Sequence, residues 1–112
     1  MPHSILNTLT TFPGTLANYQ DEIIDVFSRA VPNKAFSVYL SGSRARGEEE
    51  NSSDADLAVS GEQINRTDLS LIREQWEYSI IPVMLDLVDT NDIGSALSSQ
   101  IEKEKVLLWT SN

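Results

Sequence analysis

The sequence predicts a single small α/β (α+β) domain. Three observations indicate this fold class: a length of 112 residues, a composition with 40% hydrophobic and 22% charged residues, and an apolar periodicity that switches between the helical value and two. The length suits one domain of ordinary size, and the composition is typical of a globular fold rather than a disordered chain. We expect residues 16–112 to form the domain and residues 1–15 to be a loose N-terminal lead-in.

The first half of the domain predicts one helix and two strands. Apolar residues recur at helical spacing from Leu16 to Val31, and Pro32 with Asn33 ends that helix. Apolar and polar residues alternate from Ala35 to Ser41, which predicts a strand. The second strand alternates in the same way over residues 54–60, with Ala55, Leu57 and Val59 on one face and Asp54, Asp56 and Ala58 on the other.

A helix and a strand are predicted next. Thr67 is expected to cap a helix that ends near Ser79, before Pro82. The run from Val83 to Val88 is almost continuously apolar, which is typical of a strand covered on both faces, and only Asp86 interrupts it. The residues of the helix that are expected to face inward are Leu69, Leu71, Ile72 and Trp76.

The end of the chain predicts a further helix and a short strand. Thr90 or Asn91 is expected to cap the helix, and Val106 to Trp109 is expected to form the strand. The predicted order is helix, strand, strand, helix, strand, helix, strand. The inward positions of the last helix are spaced by four: Ile93, Leu97 and Ile101.

Charge and residue usage argue against several classes of function. The chain has 8 Lys and Arg against 17 Asp and Glu, a net charge of −9, so we expect no direct contact with nucleic acid. With no cysteine and a single histidine, it lacks disulfides, a thiolate zinc site and a cysteine nucleophile. No apolar run approaches the roughly 20 residues of a membrane span, and no signal peptide is evident. We therefore expect a cytoplasmic protein with no membrane partner.

The first candidate for a functional motif is Gly-Ser-Arg-Ala-Arg-Gly at residues 42–47, directly after a predicted strand. Gly42 permits a close approach of the backbone, and Ser43, Arg44 and Arg46 carry hydrogen-bond donors, so the turn suits a phosphate group. It is neither a P-loop nor a dinucleotide-binding motif. An ordinary strand-to-helix turn has the same composition, so the motif alone leaves both interpretations open.

Three acidic residues are the second candidate. Asp54 and Asp56 point to one face of a strand with Cα atoms about 6.6 Å apart, so both could bind a hard cation such as Mg²⁺. Asp86 lies in the apolar run, where an unpaired carboxylate would cost several kcal/mol, and on a neighbouring strand it would meet the other two. Such a triad suits two-metal phosphoryl or nucleotidyl transfer. Solvent exposure of the pair, or a strand-end position of Asp86, is the structural alternative.

Taken together, these motifs resemble the minimal nucleotidyltransferases of the DNA polymerase beta superfamily, over roughly residues 16–109. The resemblance implies a small mixed β-sheet packed by helices, the palm-like nucleotidyltransferase fold. It also implies that Asp54, Asp56 and Asp86 are the catalytic and metal-binding residues, with two Mg²⁺ ions and with Asp86 as the candidate general base. The resemblance implies that ATP is the substrate. Its binding residues would be Gly42, Ser43, Arg44, Arg46 and Ser53.

Short members of this family resemble the antitoxin of a two-gene system whose toxin is a helical HEPN-domain ribonuclease. The resemblance implies transfer of AMP onto a hydroxyl of that partner protein, and a net charge of −9 suits a basic protein partner. Two alternatives stay open. The chain could be a non-catalytic module that neutralises its partner by occlusion, or a nucleotidyltransferase that acts on a small molecule.

Overall fold

The computed structural model describes residues 12–45, 54–92 and 94–111. Four strands form one mixed sheet, and helices pack against it, as the predicted fold class requires. The elements in chain order are a 3₁₀ helix at Gly14–Tyr19, α1 at Gln20–Ala30, β1 at Ser37–Ser41, α2 at Gly42–Ala45, β2 at Ala55–Ser60, α3 at Arg66–Glu77, β3 at Leu85–Asp89, α4 at Ser95–Glu104 and β4 at Val106–Thr110.

The strand order is β3-β2-β1-β4, with β1 and β2 in the centre. β1 runs antiparallel to both of its neighbours, whereas β2 and β3 are parallel. The pairing of β1 with β4 contains an irregularity between Val38 and Tyr39. Since β2 and β3 run in the same direction, α3 connects them as a crossover. The first residues of both strands therefore lie at the same end of the sheet.

One face of the sheet carries the main hydrophobic core. Phe27 of α1, Phe36 and Trp109 of β4 form an aromatic cluster there, with the Trp109 ring centroid 5.8 Å from that of Phe27 and 5.3 Å from that of Phe36. The indole N–H of Trp76 in α3 donates to the Val83 carbonyl at 2.9 Å. Among the described residues, the Trp109 indole N–H has no hydrogen-bond acceptor. The buried strand residues of this core include Val38, Leu40, Leu57, Val59 and Leu87.

The opposite face is polar near the start of β2 and is partly covered by α4. Ala58 of β2 and Ile101 of α4 are buried but stand outside the main core cluster. Asp56, two residues before Ala58, shares its face by the alternation of the strand. The acidic face of β2 therefore lies away from α1 and α3, on the side of α4.

The predicted helix over residues 16–31 is divided in two. Tyr19, with φ −122° and ψ 20°, ends the 3₁₀ turn and stands as the N-cap of α1, so a continuous α-helix from Leu16 was wrong. Phe12 is buried in the core, and its N–H donates to the Gln20 side chain at 2.9 Å. Residues 1–11 of the predicted lead-in lie outside the described residues.

The start of α3 also differs from the prediction. Asn65, not Thr67, is the N-cap, because its side chain accepts from the Asp68 N–H while the Asp68 carboxylate accepts from the Asn65 N–H. This reciprocal capping box begins the helix two residues early. Leu71, which was expected to face inward, is 40% exposed.

Strand β3 lies at the edge of the sheet, and its residues are buried mainly on the face of Leu87 and Asp89, so the expectation of cover on both faces was wrong. It pairs with β2 alone in the strand order, begins at Leu85 rather than Val83, and leaves Asp86 exposed. Met84 lies outside the strand and is 72% exposed. The apolar run therefore reflects one covered face, and the charge of Asp86 is compatible with water on the other.

The last predicted helix and strand are present as α4 and β4, with one change at the cap. Gly94 is the N-cap of α4, in place of Thr90 or Asn91. Ile101 is buried as predicted, whereas Ile93 and the side chain of Leu97 lie outside what the structure describes. No helix within the described residues is long and apolar enough to cross a bilayer.

Candidate active site

Two of the three predicted acids meet across β2 and β3. Asp56 and Asp86 are direct partners in the parallel register, so both side chains project from the same face of the sheet. Asp56 is half-buried, whereas Asp86 is exposed. Asp54 lies one residue before β2 and is exposed to solvent. The structure therefore brings Asp56 and Asp86 together and places Asp54 just before the first residue of β2.

Electrostatics at this point of the sheet act mainly on Asp56. Burial raises the pKa of the Asp56 carboxyl above its ordinary value of 3.8, and the negative charge of Asp86 raises it further. A hydrogen bond between the two carboxyl groups and the charge of Asp54 act in the same direction, while Arg44 opposes them. Asp56 thus carries an unfavourable negative charge at neutral pH, which a cation would relieve.

Gly42 is fixed by its contact with Asp56. The preceding residue, Ser41, pairs with Asp56 in the antiparallel register, and its hydroxyl donates to the Asp56 carbonyl at 3.3 Å. Gly42 has φ +72°, and a Cβ atom at this position would overlap the Asp56 carboxylate. The turn at the start of α2 therefore requires glycine both for its backbone conformation and for the space that Asp56 occupies.

Arg44 lies inside the protein rather than at the surface of the turn. It is 3% exposed; its Nη1 donates to the Thr15 hydroxyl at 3.0 Å and its Nε donates to the Asp54 carbonyl at 3.3 Å. Arg44 thus connects the turn to the 3₁₀ helix and to the start of β2. Its contact with phosphate stays a prediction. The Ser43 side chain, Arg46 and Ser53 lie outside what the structure describes.

A cleft of about 220 Å³ opens over the two acids. Ser41 and Gly42 line it beside Asp56 and Asp86, and α4 supplies the facing wall with Gln100, Ile101 and Glu104. No sequence motif marks Gln100 or Glu104 as functional. Their spacing of four places them on one helix face, but the sequence alone does not say which face of the sheet α4 covers.

The acidic residues suit a hard divalent cation. Within residues 12–45, 54–92 and 94–111, no three His, Cys, Asp or Glu side chains are already gathered as a metal site. Asp56 and Asp86, however, hydrogen-bond to each other and repel when both are ionised, and carboxylate oxygens are the ligands that Mg²⁺ prefers. A cation between them would offset this repulsion, and Asp54, one residue before β2, is a further carboxylate that could contribute.

Solved structures of similar fold come from nucleotidyltransferases and toxin–antitoxin complexes. A toxin–antitoxin structure with AMP-PNP is 24% identical over 80% of this chain and 72% of the other, with a TM-score of 0.67. A chain assigned as a minimal nucleotidyltransferase is 27% identical over 82% of this chain and 91% of the other, with a TM-score of 0.63. A chain from the complex of a tri-AMPylated Shewanella oneidensis HEPN toxin with an MNT antitoxin is 22% identical to this chain. The match covers 82% of this chain and 70% of the other, with a TM-score of 0.61.

The matches at 24% and 22% identity establish a shared fold only. No curated protein sequence matches the chain. The family model for polymerase beta nucleotidyltransferases, in contrast, matches residues 21–112, which include β1, the Gly42 turn and all three acids. The family model covers most of the chain, and the sheet and the acid pair agree with it. The chain therefore belongs to the polymerase beta nucleotidyltransferase family.

Proposed function

We propose that the chain is a Mg²⁺-dependent nucleotidyltransferase that moves AMP from ATP onto a hydroxyl of a partner protein in the cytoplasm. We further propose that it is the antitoxin of a pair whose toxin is a helical HEPN-domain protein. The observation that carries the proposal is the in-register pair of Asp56 and Asp86 beside the Gly42 turn. The similar structures with AMP-PNP and with an AMPylated HEPN toxin support the choice of nucleotide and partner.

The acidic residues at the cleft would bind metal ions and accept a proton. Asp56 and Asp86, with Asp54, would hold two Mg²⁺ ions, which neutralise phosphate oxygens and lower the pKa of an attacking hydroxyl. Asp86, the exposed member of the pair, accepts the proton of that hydroxyl. The hydroxyl oxygen then forms a bond to the α-phosphorus as the bond to the β-phosphate oxygen breaks, and pyrophosphate leaves.

The turn after β1 is proposed to bind the phosphates. Gly42 lets the backbone pass close to the acids. Ser43 and Ser53 are proposed as hydroxyl donors to the triphosphate on the sequence motif alone. Arg46 would add a positive charge. Arg44, fixed between Thr15 and Asp54, would hold the turn in place and bring its own charge near the same phosphates.

Beside the nucleotide, this cleft leaves little room for an acceptor. Its volume of about 220 Å³ is already small for one bound ligand, since pockets that enclose small molecules measure roughly 300–1,000 Å³. The exposed position of Asp86 permits a second macromolecule to approach it. A net charge of −9 favours a partner with a basic surface, because opposite charge accelerates encounter. These features favour a protein acceptor over a small molecule.

Nucleotide binding provides the first test. Calorimetric titration with MgATP should show binding to the wild type and at least a tenfold loss of affinity in Asp56→Asn. Asp92→Asn is the matched control, since Asp92 is exposed, its substitution removes the same charge and it does not line the cleft. Equal MgATP affinity in wild type and Asp56→Asn would show that the acids are misassigned.

Transfer provides the second test. The chain is mixed with the protein encoded beside it, Mg²⁺ and ATP, and intact-mass measurement should show the addition of AMP to the neighbour. Asp86→Asn should abolish the addition while the complex still forms, because Asp86 acts on the proton rather than on assembly. If the neighbouring protein stays unmodified, and the wild type and Asp86→Asn inhibit its activity equally, the result would support occlusion instead of catalysis.

A further inference from the structure

The wall of the cleft that α4 supplies has no role in the proposed transfer of AMP. Gln100 and Glu104 line it from the last turns of α4, four residues apart and so on one face of the helix. Gln100 is exposed and Glu104 is half-buried. Two polar side chains thus face the same small space as Asp56 and Asp86.

The chemistry of this wall disfavours direct contact with a phosphate that no cation neutralises. The Glu104 carboxylate accepts hydrogen bonds and repels anions, and it lies at the C-terminal end of α4, where the helix dipole is negative. Gln100 can accept and donate. The two side chains together suit an uncharged group that carries hydroxyl donors.

The position of this wall indicates which group it contacts. The inference rests on the proposed function, in which the acids hold the α-phosphate of the nucleotide. Because the α4 side chains line the same cleft as the acids, the group that they contact is either attached to the α-phosphate or attacks it. The ribose is attached to the α-phosphate through its 5′ oxygen, and its 2′ and 3′ hydroxyls are the donors that a carboxylate and an amide can hold together.

We propose that Gln100 and Glu104 bind the ribose hydroxyls of the nucleotide and make the cleft selective for ribonucleotides over 2′-deoxyribonucleotides. The acid wall then positions phosphate, and the α4 wall positions the sugar. Opposite walls of one cleft thereby fix the α-phosphorus relative to the rest of the nucleotide.

The chain offers a control of the same residue type for each position. Gln63, between β2 and α3, and Glu102, on α4 itself, are exposed and do not line the cleft. Calorimetric titration with MgATP and with Mg-2′-deoxyATP compares the wild type with Gln100→Ala and Glu104→Ala, and with the controls Gln63→Ala and Glu102→Ala. The wild type should prefer ATP by about 3- to 10-fold, the effect of one hydrogen bond. Glu104→Ala should bring the ratio close to one, Gln100→Ala should lower it, and both controls should keep it.

The outcomes separate the inference from the proposed function. Equal binding of both nucleotides by the wild type would overturn ribose selection and leave the proposed function intact. No binding of either nucleotide would overturn both. If Glu104→Ala keeps the ratio but loses AMP transfer to the neighbouring protein, Glu104 faces the acceptor, and the assignment to ribose is wrong.

Discussion

At the scale of the residue, the contact between Gly42 and Asp56 joins the two halves of the site. The glycine has φ +72°, and the Asp56 carboxylate occupies the space where a side chain would stand. The carboxylate therefore lies directly against the backbone of the turn that is proposed to bind phosphate. A change at Gly42 must disturb the position of a metal ligand as well as the turn.

The first prediction concerns Gly42→Ala. Alanine at this φ should cost at least about 1 kcal/mol of unfolding free energy, and its methyl group should displace Asp56 and abolish MgATP binding. Gly94→Ala is the control, because Gly94 has φ −66° and open space around it, so urea unfolding and calorimetry should show little change. A stable Gly42→Ala protein with normal MgATP affinity would contradict this account of the turn.

The second prediction concerns pH and Asp56. The folded state raises the Asp56 pKa above 3.8, so between 3.8 and the raised pKa the folded state binds more protons than the unfolded state. Asp56 therefore lowers stability as pH rises through this window, and the penalty is fully present above it. In metal-free buffer at pH 7.5, Asp56→Asn should be more stable than the wild type by about 0.5 kcal/mol, the order of a like-charge pair across strands.

The same substitution should give a smaller gain at pH 3.5, where the Asp56 carboxyl is protonated in most unfolded molecules and in a larger share of folded ones. Urea unfolding at the two pH values measures the difference. Asp92→Asn, which removes an equal charge outside the cleft, is the control. A destabilised Asp56→Asn at pH 7.5 would mean that Asp56 has a favourable structural partner rather than an unfavourable neighbour.

At the scale of the element, α3 is held at its start by the capping box of Asn65 and Asp68. Asp68 also accepts from Lys34 Nζ at 2.7 Å, and its side chain is only 10% exposed. These contacts connect α3 to the segment before β1. The helix therefore depends on polar contacts at one end and on Ile72 and Trp76 along its length.

The third prediction tests this cap. Asn65→Ala should lower the unfolding free energy by about 1 kcal/mol, because one N–H of the first turn loses its acceptor. Asn65→Asp keeps an oxygen in that place and should stay close to the wild type in urea unfolding. MgATP affinity should be equal in both variants, since the cap lies away from the cleft, and a changed affinity would link α3 to the site.

Elements with a strong local pattern could be predicted from the sequence, and their ends could not. The alternation in β2 correctly separated Leu57 and Val59 from Asp56. The signal for the α3 cap was present as Asn65 with Asp68 three residues later, but Thr67 is an equally good cap by residue type. The run at residues 83–88 was misinterpreted as covered on both faces, because a nearly continuous apolar run does not show that one face is left open.

At the scale of the whole molecule, a net charge of −9 on 112 residues produces self-repulsion in the folded state. Several described ion pairs are exposed, such as Arg29 with Asp25 at 2.8 Å and Arg66 with Asp92 at 3.7 Å. Exposed pairs of this kind contribute little to stability. Repulsion among the acids should therefore determine how the fold responds to salt.

The fourth prediction follows from this balance. Raising NaCl from 0.01 M to 0.15 M shortens the screening length from about 30 Å to about 8 Å, which weakens repulsion between distant acids. The thermal unfolding midpoint should rise by a few degrees over this range. A midpoint that falls with salt would show that attractive pairs outweigh repulsion in this fold.

The site itself depends on the whole topology, which limits what the sequence could predict. The spacing of Asp54 and Asp56 is local and was visible in the chain. The partnership of Asp56 with Asp86 required β2 and β3 to be neighbours, which the family resemblance supplied. Gln100 and Glu104 could not be assigned, because only the path of α4 from β3 to β4 places them over the acids.

The two tryptophans have a consequence for how the protein can be observed. Trp76 and Trp109 are both buried in the core on the face of the sheet away from the cleft, 5% and 2% exposed. An indole in such apolar surroundings fluoresces at short wavelength, and its emission moves to the red when water reaches it. Emission should therefore follow unfolding closely and change little when nucleotide enters the cleft. Intrinsic fluorescence would report the integrity of the fold, and binding would need a labelled nucleotide or calorimetry.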